Sequence, residues 1–298
     1  MILNYKAKLS DSGNSIKSIL KDKLNISNNL LSKLKKNNQI FLNKIPTKIN
    51  CFIMPYDLIT VNVKPEKKIT NIKPEKIHLD IIYEDEFLII LNKEPNIVVH
   101  PTYLYSKGTI ANGLLNYFIE NNLDTTIRPV SRLDKKTSGL IVFAKNAYIQ
   151  ESLILQMKNM TFIKKYIGIT EGVVKNDFGT INAPIGRKPE SIIERCVLKS
   201  GSIAITHYKV LKRFKFASLL SFQLETGRTH QIRVHCKHIN HPLIGDDLYN
   251  HKEKPFLNRQ ALHSSKIKFI HPISSKVLKL SAPIPYDIKN LLNKLSYF

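Results

Sequence analysis

From residue 78 onward, short strand-like runs recur without regular helices between them, and this pattern constrains the fold more than any other feature of the chain. The runs, which are rich in β-branched and aromatic residues, cover 79–83, 87–91, 140–144, 166–170, 203–211, 218–224 and 267–270. Helical patterns lie near 109–121, 147–159 and 286–295. A doubly wound fold requires strands and helices to alternate. The pattern therefore predicts an α+β fold with a largely antiparallel or mixed β-sheet flanked by helices and loops.

The first part of the chain predicts a separate small domain at 14–63. A first helix is indicated by apolar residues at helical spacing, with Asn14 or Ser15 as N-cap: Ile16, Ile19, Leu20 and Leu24. A second helix, capped by Ser27, is indicated in the same way by Leu30, Leu31 and Leu34. Strand-like pieces follow at 40–42 and 58–63. The polar stretch 64–77, with its two prolines, predicts a linker to the main domain at 78–298.

Charge gives the first indication of function. The chain carries 46 Lys and Arg against 23 Asp and Glu, a net charge of +23. Such an excess favours a polyanionic partner such as RNA or DNA, although compositional drift towards lysine has the same effect. Arginine is scarce, and five of the arginines fall in three short blocks, at 128–139, 226–235 and 259–263. A lysine-rich chain keeps arginine where a planar, bidentate cation is needed, so these blocks are the candidates for chemistry.

Several classes of protein are excluded or disfavoured. No apolar run reaches the length of a transmembrane helix, and the N-terminus has no signal-peptide pattern, so we expect a cytoplasmic protein without a membrane partner, and a monomer. The three cysteines are far apart and do not form a disulfide framework. Phosphate-loop, dinucleotide, zinc-protease and serine-hydrolase motifs are absent, and the histidines and cysteine of 230–241 match no standard zinc spacing. We therefore expect neither a cofactor nor a metal.

The block 128–145, RPVSRLDKKTSGLIVFAK, places Asp134 on a loop that leads into an apolar strand. Three residues that can tie the loop and allow a tight turn follow it: Thr137, Ser138 and Gly139. Arg132 lies two residues away and can keep the aspartate ionised. An ionised aspartate can act as a nucleophile or a base. The common structural alternative is a surface aspartate in a turn before a strand.

This block resembles the catalytic motif of the RluA-type RNA pseudouridine synthases, H-R-L-D-x-x-T-S-G. The matching residues are Arg132, Leu133, Asp134, Thr137, Ser138 and Gly139. Ser131 stands where the family has histidine, a departure that concerns subfamily and substrate more than chemistry.

Further blocks match the family in the same order. Residues 90–102, ILNKEPNIVVHPT, are similar to L-N-K-P-x-G-x-x-V-H-P, with Glu94 and Asn96 in place of proline and glycine. Asparagine tolerates a left-handed backbone, so the turn can be kept. Lys165 and Tyr166 match the K-x-Y segment that supplies the family's active-site tyrosine.

The region 224–246 is similar to the family's third motif, L-x-T-G-R-x-H-Q-I-R-x-H…H-P-x-x-G-D. It contains Gly227, Arg228 and His230, and Thr229 is a candidate N-cap for a following helix. The last block, 259–272, is similar to R-x-x-L-H-A…F-x-H-P, with serine in place of alanine. Together the ordered motifs cover roughly residues 80–285.

The resemblance implies a cofactor-independent isomerase that breaks the uracil–ribose bond and rejoins the base through carbon. Asp134 would attack the sugar at C1′ or deprotonate C2′, and Tyr166 would stack on the flipped uracil and relay a proton. Arg228 would pair with Asp134, while Arg132 would fill the space that the flipped base leaves. The supporting motif residues would be Leu133, Thr137, Ser138, Gly139, Lys165, Gly227 and His230.

The implied substrate is structured RNA, ribosomal rather than transfer RNA, and the basic residues 14–63 are similar to an S4-type RNA-binding domain. Two other hypotheses stay open. One is a catalytically silent RNA-binding or ribosome-assembly factor on the same fold. The other is an unrelated basic DNA- or RNA-binding protein, which would leave the ordered motifs unexplained.

Overall fold

The computed structural model describes residues 1–64, 72–250 and 257–297. In these ranges the helices are α1 Ile16–Asp22, α2 Asn28–Lys36, α3 Ile110–Glu120, α4 Ala147–Lys158, α5 Gln231–His238 and α6 Tyr286–Ser296. The strands are β1 Ile2–Lys6, β2 Ile40–Leu42, β3 Ile45–Pro46, β4 Leu58–Asn62, β5 Ile81–Glu84, β6 Leu88–Lys93, β7 Arg128–Pro129, β8 Ser138–Ala144, β9 Ile163–Glu171, β10 Phe178–Asn182, β11 Ile185–Arg187, β12 Arg195–Val197, β13 Ile205–Arg213, β14 Ala217–Leu224, β15 Leu262–Ile270 and β16 Val277–Ser281. No helix in the described ranges is long and apolar enough to cross a membrane.

The N-terminal unit has a sheet of its own, with the strand order β1-β4-β2-β3, which α1 and α2 accompany. Ser15 and Ser27 cap the two helices through their hydroxyls, as their positions predict. The unit is larger than the predicted range 14–63, because β1 pairs with β4 along its whole length. The sequence could not indicate β1, since only Leu3 of that strand is buried and one buried residue makes no pattern.

The predicted linker at 64–77 divides into two parts. Residues 65–71 lie outside the described residues. The following residues pack against α3: Asn112 donates its side-chain amide to the carbonyl of Lys73 at 2.8 Å, and the amide of Glu75 donates to the carbonyl of Asn112 at 3.2 Å. The end of the predicted linker is therefore attached to the larger unit, where it covers the N-terminal half of a helix.

The larger unit is built on a mixed sheet with the strand order β10-β13-β14-β9-β15-β8-β6-β5, to which β16 and β7 add at β15 and β8. All the pairings are antiparallel except the one between β15 and β8. The predicted α+β fold with a largely antiparallel or mixed sheet is thus confirmed. Short or solvent-facing strands such as β7, β10, β12 and β16 were not predicted, because few of their side chains are buried.

The parallel contact between β8 and β15 requires a glycine. Gly139 pairs with Ser264 and has a φ of +105°, a conformation that residues with a side chain rarely adopt. A Cβ at this position would lie 2.3 Å from the Ser264 carbonyl oxygen. Gly139 therefore lets the two strands approach, and it fixes the point at which the preceding loop leaves the sheet.

Candidate active site

The loop between β7 and β8 carries Asp134 into a cavity of about 370 Å³. Strand β9 contributes Tyr166 to the wall, and α5 with its preceding loop contributes Arg228 and Arg233. Tyr166 and Asp134 come from neighbouring regions of the mixed sheet, because β15 lies between β9 and β8. The structure thus gathers the predicted residues Asp134, Tyr166 and Arg228 around one cavity.

Two buried basic side chains, those of Lys93 and Arg259, hold the backbone of the loop that carries Asp134. Lys93 donates its ammonium to the carbonyl of Lys135 at 3.0 Å and also holds two carbonyls of its own turn. Burial, reinforced by the charge of Arg259, lowers the pKa of Lys93 to about 7, while the charge of Asp134 opposes this shift. Arg259 donates to the carbonyl of Lys136 at 3.1 Å. The two residues that follow Asp134, Lys135 and Lys136, are therefore held through their backbone carbonyls.

The small motif residues serve the same loop. Gln260 donates to the hydroxyl of Thr137 at 3.1 Å, and the hydroxyl of Ser138 lies 3.0 Å from Nδ1 of His263. Leu133 is buried in the apolar cluster that also contains Tyr166. Asn96, in the turn below, has a φ of +68°, as its replacement of glycine predicts. These residues position the loop, and two of them, Leu133 and Thr137, also line the cavity.

Asp134 is paired with Arg233 and not with Arg228, so the predicted pairing was wrong. The Nη1 of Arg233 donates to Oδ2 of Asp134 at 3.3 Å, and its other nitrogens hold Asp246 in a bidentate pair with both distances 2.8 Å. Burial alone would lower the pKa of Arg233, but its hydrogen bond to Asp246 and the charges of both aspartates outweigh burial and raise the pKa. Arg233 therefore stays charged and is held rigidly by Asp246 while it contacts Asp134.

Arg228 and Arg132 line the cavity without contacting Asp134. Arg228 donates from Nε to the carbonyl of Ile203 at 2.9 Å, and Arg132 is an exposed lining residue. Among the ion pairs of the described residues, neither arginine is a partner of Asp134. Both guanidinium groups consequently remain available to a ligand that enters the cavity.

On β9, successive side chains point to opposite faces of the sheet, and this decides which lysine faces the cavity. Tyr166 is buried in its wall, and Lys164, two residues earlier on the same face, also lines it. Lys165, the lysine chosen from the sequence, is exposed and is not among the lining residues. The K-x-Y spacing could have identified Lys164, since residues two apart on a strand share a face.

Tyr166 keeps its proton at physiological pH. Burial raises the pKa of its phenol, and the charge of Asp134 raises it further, although a hydrogen bond with Ser264 works in the opposite direction. The ring is therefore a neutral, apolar surface whose hydroxyl lies near a carboxylate. Such a side chain suits a planar neutral base.

His230 begins α5 and lies beside Asp134. It has a φ of +58° and replaces the predicted cap Thr229, and no side-chain cap is formed. The hydroxyl of Tyr249 accepts a hydrogen bond from the amide of Arg195 at 2.9 Å and lies 2.8 Å from Nδ1 of His230. In neutral His230 the roles of Nδ1 and the Tyr249 hydroxyl in this hydrogen bond depend on the tautomer, and Nε2 lies 4.0 Å from Asp134. Burial lowers the pKa of His230 and favours this neutral form, although the charge of Asp134 opposes the shift.

The other histidines of 230–241 are used elsewhere in the fold. His235 binds the hydroxyl of Thr206 and the carbonyl of Ala183, and His241 binds the carbonyl of Glu171. Over the described residues, no group of three or more His, Cys, Asp or Glu side chains is arranged to hold a metal ion.

Comparison with known proteins gives a consistent result. Residues 87–238 match the family model described as RNA pseudouridylate synthase. The chain is 40% identical over 263 residues to RNA pseudouridine synthase YlyB of Bacillus subtilis, covering 87% of this chain and 86% of that protein. It is 41% identical over 270 residues to ribosomal large subunit pseudouridine synthase D of Buchnera aphidicola (Schizaphis graminum), covering 86% and 85% of the two chains.

Among solved structures, the human RNA pseudouridylate synthase domain containing 4 is similar in fold. The two chains superpose with a TM-score of 0.61 at 21% identity, over 73% of this chain and 93% of the human chain. The likeness concerns the larger sheet-based fold and carries no information about the substrate.

Proposed function

This chain belongs to the RNA pseudouridine synthase family, and from that premise we propose that it isomerises uridine in large-subunit ribosomal RNA with Asp134 as the catalytic residue. The observation that carries the assignment of Asp134 is its position: a fixed loop brings its carboxylate into a cavity beside a buried tyrosine and a rigid arginine. The choice of ribosomal RNA is supported by relatives that are named for the large ribosomal subunit.

The reaction breaks the bond between C1′ of ribose and N1 of uracil and forms a bond between C1′ and C5. The proton on C5 is lost and N1 gains one, so atoms balance without a redox partner. Asp134 either attacks C1′ or removes the proton from C2′, and in both cases its carboxylate is restored at the end. The carboxylate of Asp134 acts in its ionised form, and Nη1 of Arg233 lies 3.3 Å from its Oδ2.

The remaining residues bind and orient the nucleotide. The target uridine has to leave its stack, which costs a few kcal/mol, and we assign to the exposed Arg132 the role of bracing the space that it leaves. Arg233 orients Asp134, the role that the sequence assigned to Arg228. Tyr166 supplies the surface on which uracil stacks, and its hydroxyl is a candidate proton relay.

Replacement of Tyr166 by phenylalanine tests the hydroxyl separately from the ring. We expect the single-turnover rate to fall by about 10- to 100-fold, while RNA affinity changes by less than about threefold, because the stacking surface remains. A rapid-quench assay of pseudouridine formation measures the rate, and filter binding measures affinity. An unchanged rate would leave stacking as the only supported role of Tyr166.

The function itself is tested by chemical mapping of pseudouridine. Ribosomal RNA transcribed without modification is incubated with the protein, and new pseudouridines are located by carbodiimide treatment and primer extension. New sites in large-subunit RNA support the proposal. If the protein binds this RNA but forms no pseudouridine in it or in total RNA, the alternative of a silent RNA-binding or assembly factor is correct.

We assign RNA affinity and target choice to the N-terminal unit, as an S4-like domain. Residues 1–63 contain ten lysines and three aspartates, a net charge of +7, and such lysines contact phosphates largely without distinguishing sequence. The unit also contacts the larger one: Ser27 donates to Glu151 at 2.5 Å, and one apolar cluster continues from the first unit into the second.

Removal of residues 1–71 separates these roles. Because the mixed sheet and the segment that packs on α3 are kept, we expect a folded protein that modifies RNA at saturating concentration. Its affinity for long structured RNA should fall by about tenfold or more, with a shallower dependence on salt. Circular dichroism reports folding, and filter binding at several salt concentrations reports affinity. An unfolded product would show that the unit is a structural lid, and an unchanged salt dependence would show that it does not bind RNA.

We further propose that the protein acts as a monomer in the cytoplasm. The three cysteines are free thiols, which suits a reducing compartment.

A further inference from the structure

The ammonium group of Lys164 has no counter-ion in the part of the chain that the structure describes. Burial lowers the pKa of Lys164 to about 8, and no neighbouring charge contributes to the shift. The carboxylates that line the same cavity are Asp134, paired with Arg233, and Glu225, paired with His207 at 2.6 Å. Burying an ammonium without a partner costs free energy, and an anionic ligand that binds beside it offsets this cost by supplying the missing counter-charge.

Gly227 leaves open space in front of this ammonium. Its φ lies outside the left-handed region, so the backbone does not require glycine. A Cβ there would have Nζ of Lys164 as its nearest described neighbour, at 4.0 Å, so packing does not require glycine either. The space is bordered by the neighbouring Arg228, also a cavity residue, and by the N-terminal end of α5, where the helix dipole favours anions.

From this juxtaposition we infer that Lys164, with the open face of Gly227 and the start of α5, binds a phosphate group of the target nucleotide. The inference rests on the proposed function and specifies how the substrate is held. The contact forms only when the flipped nucleotide is in the cavity. It therefore contributes to the reaction step more than to the affinity for long RNA, which many surface lysines supply.

The test compares full-length Lys164→Met with wild type, and uses Lys268→Met as the matched control, since Lys268 is an exposed lysine on the neighbouring strand β15 that pairs with Ile163 and so points to the opposite face of the sheet from Lys164. On ribosomal RNA we expect the single-turnover rate of Lys164→Met to fall by about tenfold or more. Its thermal midpoint should equal or exceed that of wild type, because an unpaired buried charge is removed. A rate within twofold of wild type, or a lower midpoint that indicates a structural role, overturns the inference.

A second measurement does not depend on turnover. Uridine 5′-monophosphate and uridine are titrated into each protein and followed by nuclear magnetic resonance. We expect the monophosphate to bind wild type and Lys268→Met about tenfold more tightly than uridine does, and this preference to disappear in Lys164→Met and to weaken in Gly227→Ala. A preference that survives in Lys164→Met overturns the inference. If wild type modifies no RNA, the proposed function fails, and the nucleotide titration still decides the role of Lys164.

Discussion

Asp134→Asn is expected to reduce the rate of pseudouridine formation by at least about 10⁴-fold. The amide has nearly the shape of the carboxylate, but it is a poor nucleophile and a poor base. The fold should persist, because Arg233 keeps both hydrogen bonds to Asp246 and the loop keeps its backbone contacts to Lys93 and Arg259. Single-turnover assays on ribosomal RNA measure the rate, and thermal unfolding measures stability.

Asp177→Asn is the matched control for this change. Asp177 is 73% exposed and pairs with Arg213 far from the cavity, so the control should retain its rate within about twofold, as surface ion pairs contribute little. RNA affinity of Asp134→Asn should remain near that of wild type. Turnover by the purified Asn variant at a rate comparable to the control would remove Asp134 from the mechanism.

Arg233→Lys is expected to lower both the rate and the stability. Lysine keeps the charge, but a single ammonium cannot hold Asp246 in a bidentate pair and contact Asp134 at the same time. Asp246 is fully buried, so its weakened pairing should cost about 2–3 kcal/mol of unfolding free energy. The rate should fall by about 100-fold, because the carboxylate of Asp134 is no longer oriented.

Two further arginine variants make this prediction specific. Arg213→Lys is the structural control, since Arg213 binds two backbone carbonyls and Asp177 at the surface, and its rate should remain that of wild type. Arg228→Lys should retain the stability of wild type, because Arg228 takes no part in the buried pair. If Arg233→Lys is active and stable while Arg228→Lys has a lowered unfolding free energy, the results favour the pairing of Arg228 with Asp134 that the sequence predicted.

Sequence alone determined the family, the fold class and the position of the loop that carries Asp134. Local rules were sufficient for these, because caps such as Ser15 and Ser27 and the positive φ angles of Asn96 and Gly139 depend on neighbours along the chain or on a single backbone angle. The long buried strands β8, β9 and β14 were predicted for the same reason, since their apolar residues form continuous or alternating runs.

Only the tertiary structure decided which cations face Asp134. Arg228 and Arg233 both lie in the same motif, but α5 turns Arg233 towards Asp134 and Asp246, while Arg228 stays in the preceding loop and binds the carbonyl of Ile203. The pairing depends on where the start of a helix meets a loop 99 residues earlier in the chain, and no spacing within one motif encodes that approach. Likewise the isolation of Lys164 becomes visible only when the cavity is assembled, because a lysine is short of a counter-ion only with respect to the groups that the fold brings around it.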